Sequence, residues 1–531
     1  MQGSNDNVHI SPVEWRWVVL MAGLFVGLAF VPFLWVAFSG SAHAGWQFMG
    51  ALTNYRDGAT YLAKMQQGAE GSWQILFWHT PEAHSPAFLA AIYPALGNLS
   101  RILGLPVVAV YHVARVIASL LMYSSLYYLA ATVYPYRIRA RRIFFLLAAM
   151  TSGLGWLFAP FTGLSTYPDL AIPEMFPFYS SLVNVHFPLA LTCITLIATL
   201  FVTTFRPGMT RNPQVDNGGL LVVLLSFLLS ILYPHALIPL CGAVALYTLF
   251  HTVQTRKLAL RELFWLMALA LPAAPLAVYY AAVVNYNPAV AGWNNQNVTL
   301  SPALPELLIG LGLPLLISLP AIYRAVRRFE QDGDQFMLLW LALIVIALFL
   351  PTSVQRRFGV GIMIPIAYFA VRALSDFWYP RIALRWHKLL MALFTPLMIL
   401  SPIFVLLSST TITEGPFLQQ DYASAFQWLR AYSHSPDVIL ASEEVSLWIP
   451  SWVGARVVYG HPFETLDANT KHQQVMDWYS GANNRDCRAL LDEYQVRYVI
   501  DGPQETLIGQ NTCMQKLTPA AVFGSVTIYA P

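Results

Sequence analysis

Eleven stretches of the chain are apolar over the length that crosses a bilayer, and nothing else in its 531 residues restricts the fold as much. Hydrocarbon forces every backbone N–H and C=O to find a partner inside the spanning segment, so a run of about 17 to 25 apolar residues reads as a helix. The stretches are 15–38, 107–133, 141–160, 184–205, 219–232, 234–251, 262–284, 304–323, 335–350, 357–374 and 387–408, which predict a mainly α, polytopic transmembrane helical bundle. The fifth and sixth flank Tyr233-Pro234-His235 and would alternatively form one long broken helix. Residues 86–104, interrupted by Pro86, Pro94 and Gly97, read as a helix lying at the interface rather than a crossing. Charged residues make up only 11% of the chain, against about 25% in soluble domains, which excludes a soluble enzyme, a disordered protein and a nucleic-acid binder.

Lysine and arginine accumulate in cytoplasmic loops. With the N-terminus inside, the inner segments hold 17 of the 30 basic residues, among them Arg137, Arg139, Arg141 and Arg142, Arg206 and Arg211, and Arg327 and Arg328. The outer loops hold five: Arg56, Lys64, Arg101, Arg356 and Arg357. Eleven crossings then place the C-terminal tail outside. From about residue 416 the composition becomes that of a small soluble domain. Helix-like 422–432, 471–479 and 485–494 alternate with β-rich 438–440, 456–459, 496–500 and 526–529. The expectation is a membrane domain over 1–415 followed by a small exterior α/β domain over 416–531, with a mainly parallel sheet. The tail's only cysteines, Cys487 and Cys513, either pair or stay free.

No carboxylate falls in the interior of an apolar span, where it would be costly, Glu262 and Glu306 standing in the first turn of theirs, so the acids at the outer face of the membrane portion reduce to Asp57, Glu70, Glu82, Asp169, Glu174, Glu306 and Glu414. The first outer loop, 39–106, carries Asn54-Tyr55-Arg56-Asp57-Gly58 and Trp78-His79-Thr80-Pro81-Glu82-Ala83-His84. Asp57 either caps a helix from Gly58 to Gln67 or does chemistry. His79, Glu82 and His84 are candidate metal ligands, or ordinary polar loop residues. In the second outer loop, Pro168-Asp169 and Pro173-Glu174 are ordinary helix-start pairs that share a membrane face with Asp57. His186 and His235 lie near the same surface. Arg115, about two turns inside the second span, either snorkels to the headgroups or pairs with an outer carboxylate or a lipid phosphate. Arg356-Arg357 stand outside against the charge rule: either the short stretch 335–350 fails to cross, or the pair grips an anion, since guanidinium forks match phosphate oxygens.

These residues, with the exterior tail, resemble the GT-C superfamily of membrane glycosyltransferases, specifically its uncharacterised bacterial members. The resemblance covers the architecture; the motifs that carry it are short. It implies transfer of a sugar from a polyprenyl-phosphate donor to an acceptor glycan, lipid or protein at the outer face of a bacterial cytoplasmic membrane. It further implies Asp57 and Glu174 as catalytic carboxylates, Arg356, Arg357 and Arg115 as donor-phosphate ligands, and Asp57 with Asp169 as ligands of a divalent cation, Mg or Mn. The chain departs from the family in having Gly58 rather than an acid after Asp57. It also lacks a Trp-Trp-Asp signature in the tail, where Asp477-Trp478-Tyr479 stands, which argues against transfer to protein asparagine.

Two other classes compete. A lipid or glycan transporter or flippase calls for charged or polar groups near the midplane and two related halves, yet Arg115 is the one charged group placed well inside a span and no internal repeat is present. A noncatalytic scaffold leaves the polar residues of the first two outer loops unexplained. The topology is open to cysteine-accessibility labelling: positions near Asn294 and within 420–531 are expected to react from one side of the membrane and those near Arg139 and Arg327 from the other. A tail labelled from the Arg139 side would mean an odd error in the number of crossings.

Overall fold

The computed structural model describes residues 10–39, 45–163, 166–205, 216–329, 333–412, 415–434, 437–482, 487–509 and 511–531. Arg206, Arg211, Glu414 and positions 485–486 of the expected 485–494 helix lie outside these. The chain folds into two compact units, one of Met1–Val31, Arg115–Val278 and Thr299–Ser408, the other of Pro32–Ala114, Tyr279–Val298 and Ser409–Pro531.

In the first unit every apolar stretch becomes helical. Among the described residues of the whole chain, eight helices are long and apolar enough to cross a membrane: Pro12–Val36, Val107–Val133, Ile138–Thr162, His186–Phe205, Pro234–Thr255, Leu260–Tyr286, Leu304–Arg328 and Leu384–Thr410. Gly218–Leu232 and Asp334–Leu348 are shorter apolar helices, and Met363–Ala373 fills the tenth stretch. The protein is an integral membrane protein built as a helical bundle. The fifth and sixth stretches are separate helices, divided by a 3-10 turn at Pro234–Ala236 because proline cannot continue the preceding ladder.

Charge is segregated along this unit. Arg141 pairs with Glu14 at 2.8 Å, Arg372 with Asp334 at 3.0 Å and Arg324 with Asp376 at 2.7 Å. Every segment in that cluster is one the charge rule assigns to the inside. The segments assigned outside also meet one another: Thr299 N–H donates to Ser353 O at 2.6 Å and Gly361 N–H to Glu174 O at 3.3 Å. Asp334 therefore begins its helix among the inner segments, and the residues just after Leu348 join the outer ones. Short as it is, Asp334–Leu348 connects these two sets of segments, and Arg356 is grouped with Glu174.

The second unit contains two sheets. Strands β1 (Trp46–Phe48) and β2 (Phe417–Gln419) pair antiparallel, tying the first outer loop to the tail. The larger sheet is built from β3 (Val438–Leu440), β4 (Arg456–Val457), β5 (Val496–Asp501), β6 (Thr518–Phe523) and β7 (Val526–Ala530), in the order β4-β3-β5-β7-β6. Strands β3, β4 and β5 are parallel, as expected, and the β6–β7 hairpin adds an antiparallel edge. Cys487 and Cys513 form a disulfide across 26 residues, with Cα atoms 5.4 Å apart. In the first-loop portion, helices Tyr55–Ala69 and Ile92–Leu103 pack backbone to backbone at Gly68 and Gly97: a Cβ at Gly97 would collide with the Met65 carbonyl, and one at Gly68 with that of Pro94. At 12 residues, or about 18 Å, the second of these is too short to cross a membrane.

Candidate functional site

Asp57 lies in the first turn of the Tyr55–Ala69 helix. The helix starts earlier than the Gly58 start expected, because Asn54 adopts a left-handed conformation (φ 54°) that asparagine tolerates better than most residues. Asp57 is thus not the N-cap. Its Oδ2 accepts from Asn54 Nδ2 at 2.8 Å, its Oδ1 lies 3.6 Å from Nε2 of His461, and its side chain stays 39% exposed. The glycine that follows has a packing reason, since a Cβ at Gly58 would meet Ala51. No acidic side chain fits there.

Two turns along the same helix, buried Lys64 forms an ion pair with buried Glu464, whose other oxygen is 3.4 Å from Nδ1 of fully buried His79. Burial opposes the charge on Glu464, but Lys64 and His79 outweigh it and hold the carboxyl well below its usual range. Burial pushes His79 below the usual imidazole range, against the pull of Glu464. His79 Nε2–H donates to Leu447 O at 3.1 Å. Glu82 is paired with Lys471 and accepts from Thr80; these outweigh the effect of burial and hold it below the carboxylate range. His84 Nδ1–H donates to Glu82 O at 2.8 Å, and its Nε2 accepts from Phe77 N–H at 2.9 Å. Both its nitrogens are spent on the loop.

In the first unit, prolines at the first turns of Pro168–Ala171, Pro173–Met175 and Pro177–Val183 start three short helical pieces in succession. Asp169 is buried, accepting from Gly155 N–H at 3.0 Å and Ser401 Oγ–H at 2.6 Å. Burial pushes it up to about 6, against the pull of those bonds. Glu174 is also buried, with the Tyr233 hydroxyl bonded to it. Nε of Arg356 is 3.8 Å from Glu174 Oε1 and is buried, while the Arg356 side chain as a whole remains 39% exposed. The Nε has no hydrogen-bond partner among the described residues. Around this pair the His186 and His235 rings flank Tyr233, at 6.3 and 5.5 Å between centroids, and Arg357 contributes a second positive charge. Arg115 is buried rather than snorkelling: it donates to Leu182 O at 2.6 Å and lies 4.3 Å from the Phe30 ring.

Of the two carboxylates read as metal ligands, Asp57 belongs to the second unit and Asp169 to the first. Asp169 is closed in by Gly155 and Gly310 and committed to Ser401. Among the described residues no group of three or more His, Cys, Asp or Glu side chains is arranged to hold a cation.

Neither a protein-family model nor a curated protein sequence matches the chain. Its fold, however, matches solved structures over almost its whole length. An oligosaccharyltransferase from Archaeoglobus fulgidus, in complex with Zn and sulfate, aligns with a TM-score of 0.56 at 15% identity over 97% of this chain and 73% of that one. ArnT from Cupriavidus metallidurans, bound to undecaprenyl phosphate, aligns at 0.54 and 13% identity over 97% and 98%. The arabinofuranosyltransferase AftD from Mycobacteria aligns at 0.53 and 13% over 97% of this chain but 41% of its own. The chain has the GT-C fold.

Within this GT-C fold, five of the residues chosen from sequence gather in the first unit, namely Glu174, Arg356, Arg357, His186 and His235. Asp57, His79, Glu82 and His84 belong to the second. Lys64, Tyr233, His461, Glu464 and Lys471 were not singled out as site residues. A lysine and a glutamate 400 positions apart give no sequence signal of their pairing.

The Lys64–Glu464 pair makes a stability prediction. Glu464→Gln strands a buried ammonium and is expected to cost about 3–5 kcal/mol, whereas Lys64→Met with Glu464→Leu recovers most of the loss. Because the folded pKa of Glu464 is depressed, the pair's contribution is complete above about 4.5 and drains away as pH falls further. Thermal unfolding in detergent between pH 3 and 7 measures both effects, and a Glu464→Gln variant as stable as wild type would contradict them.

Proposed function

We propose that the chain is a glycosyltransferase that moves a sugar from a polyprenyl-phosphate donor to an acceptor hydroxyl at the outer face of a bacterial cytoplasmic membrane. The observation that carries this reading is Asp57: a half-exposed carboxylate, bonded to Asn54 and approached by His461, at the start of an otherwise buried helix in a chain with the GT-C fold. The fold raises the prior and the site residues carry the chemistry.

Asp57 takes the acceptor's proton as the acceptor oxygen attacks the anomeric carbon. The bond from that carbon to the phosphate oxygen breaks, and the electron pair leaves on the lipid phosphate. That leaving group gains negative charge, which cationic donors stabilise. Arg356 suits this role. Its Nε–H sits beyond hydrogen-bonding range of Glu174, so Glu174 orients the guanidinium without consuming its fork. Arg357 adds charge beside it. Glu174, buried and bonded to Tyr233, acts through Arg356 rather than on the acceptor. Arg115 is spent on the Leu182 carbonyl, near the C-terminal end of the Pro177–Val183 helix, and serves to hold the acidic loop in place.

The test is sugar transfer by purified protein from a panel of polyprenyl-phosphate sugars. Asp57→Asn is expected to fold normally, since Asp57 is not the helix cap, and to lose about 10²- to 10⁴-fold in rate. Arg356→Lys keeps the charge but loses the fork and weakens donor use; Arg356→Ala together with Arg357→Ala nearly abolishes it. Near wild-type turnover by Asp57→Asn would remove it as the base, and unchanged donor affinity in the double alanine variant would remove the clamp.

A further inference from the structure

We propose that His461 is a positioning residue for Asp57, holding its carboxylate through an Nε2–H whose direction is dictated by the backbone; this rests on the reading of Asp57 as the base. His461 is 3% exposed. Its Nδ1 accepts two backbone N–H groups, from Phe463 and Glu464, each at 3.2 Å. A nitrogen that accepts carries no proton, so the neutral ring must carry it on Nε2, the atom that faces Asp57 Oδ1 at 3.6 Å. The tautomer is set by the turn His461-Pro462-Phe463-Glu464 itself.

That turn is fastened on several sides. Gly460 and His461 both donate their N–H to Thr465 Oγ1, at 3.2 and 3.1 Å. The Thr465 hydroxyl donates to His79 O at 2.6 Å, and Gln296 Nε2 donates to Thr465 O at 2.5 Å. Glu464, three residues after His461, is bound to Lys64, and Lys64 is seven residues after Asp57 on one helix face. The turn and the helix are thus pinned together by a buried ion pair at one point, with His461 and Asp57 facing each other at a second. The separation of 3.6 Å exceeds a hydrogen bond and closes by a side-chain adjustment when substrate binds. With that gap closed, Asn54 on Oδ2 and His461 on Oδ1 fix the plane of the carboxylate from two sides, and a base held in one orientation loses less entropy at the moment of proton transfer.

The competing role is structural: Nδ1 caps the turn, and Nε2 is incidental. Two variants separate the nitrogens. His461→Asn supplies an acceptor where Nδ1 stands, keeping the cap, but has nothing to reach Asp57. His461→Gln extends an amide N–H to the position of Nε2 but gives up the cap. Each is measured for thermal stability and for kcat and KM with the polyprenyl-phosphate sugar panel. The expected result is that His461→Asn melts close to wild type yet loses about 10- to 100-fold in kcat with KM little changed, and that His461→Gln is less stable but keeps the greater part of kcat. In an Asp57→Asn background, His461→Asn should lower the residual rate no further. A fully active His461→Asn, or rates that follow stability across the two variants, overturns the proposal. A wild type that transfers none of the panel sugars overturns the base reading of Asp57 and this proposal with it, a result distinct from either of those.

Discussion

A single buried ion pair fixes the geometry on which the second unit depends. Lys64 and Glu464 are each below a tenth exposed, and neither charge is tolerable there without the other. One comes from the first outer loop and the other from the tail, so the desolvation cost compels these distant segments to meet in one register. The β1–β2 pairing and the hydrogen bond from Trp452 Nε1 to Met49 O, at 3.0 Å, follow the same seam. A polar pair at an apolar interface specifies where two surfaces meet more than how tightly they hold.

The first unit obeys a different constraint. Lipid-facing helices have little to distinguish one rotation from another, and the information lies at their ends. Glu14, Asp334 and Asp376 receive arginines at one end, while Glu174 and Asp169 sit with serine, tyrosine and arginine near the other. The two acidic residues of the second outer loop are only five apart, yet their surroundings differ. Asp169 accepts from Ser401 and is pushed up to about 6 by burial. Glu174 faces a guanidinium whose buried Nε has no hydrogen-bond partner among the described residues.

The spans were legible because the period and length of an apolar run follow from backbone hydrogen bonding alone, with no knowledge of neighbours. So were strands β3, β5 and β7. Strand β6 was missed: Thr518-Pro519-Ala520-Ala521 lacks the β-branched signature, and Pro519 is admissible because this strand is the sheet edge. Asp57 stood out as a carboxylate in an outer loop, but the start of its helix was misplaced because a left-handed asparagine is a tertiary choice. His461 was invisible as a partner. Its role depends on a contact between residues some 400 positions apart, and local sequence holds no trace of that.

That same separation makes assembly wait on synthesis. Strand β1 and the helix bearing Lys64 leave the ribosome with the first loop, but their partners β2 and Glu464 follow only after nearly all the spans. At about 5–20 residues per second, some 400 residues take on the order of 20 to 80 seconds. Throughout that interval the loop has an unpaired strand edge, a lysine without its counter-ion and a glycine-seamed helix pair with nothing beneath it. Such a segment is a natural client for a chaperone and a natural target for a protease. The glycine contacts at Gly68 and Gly97, which need only neighbours about 30 residues away, give the waiting half an early foothold.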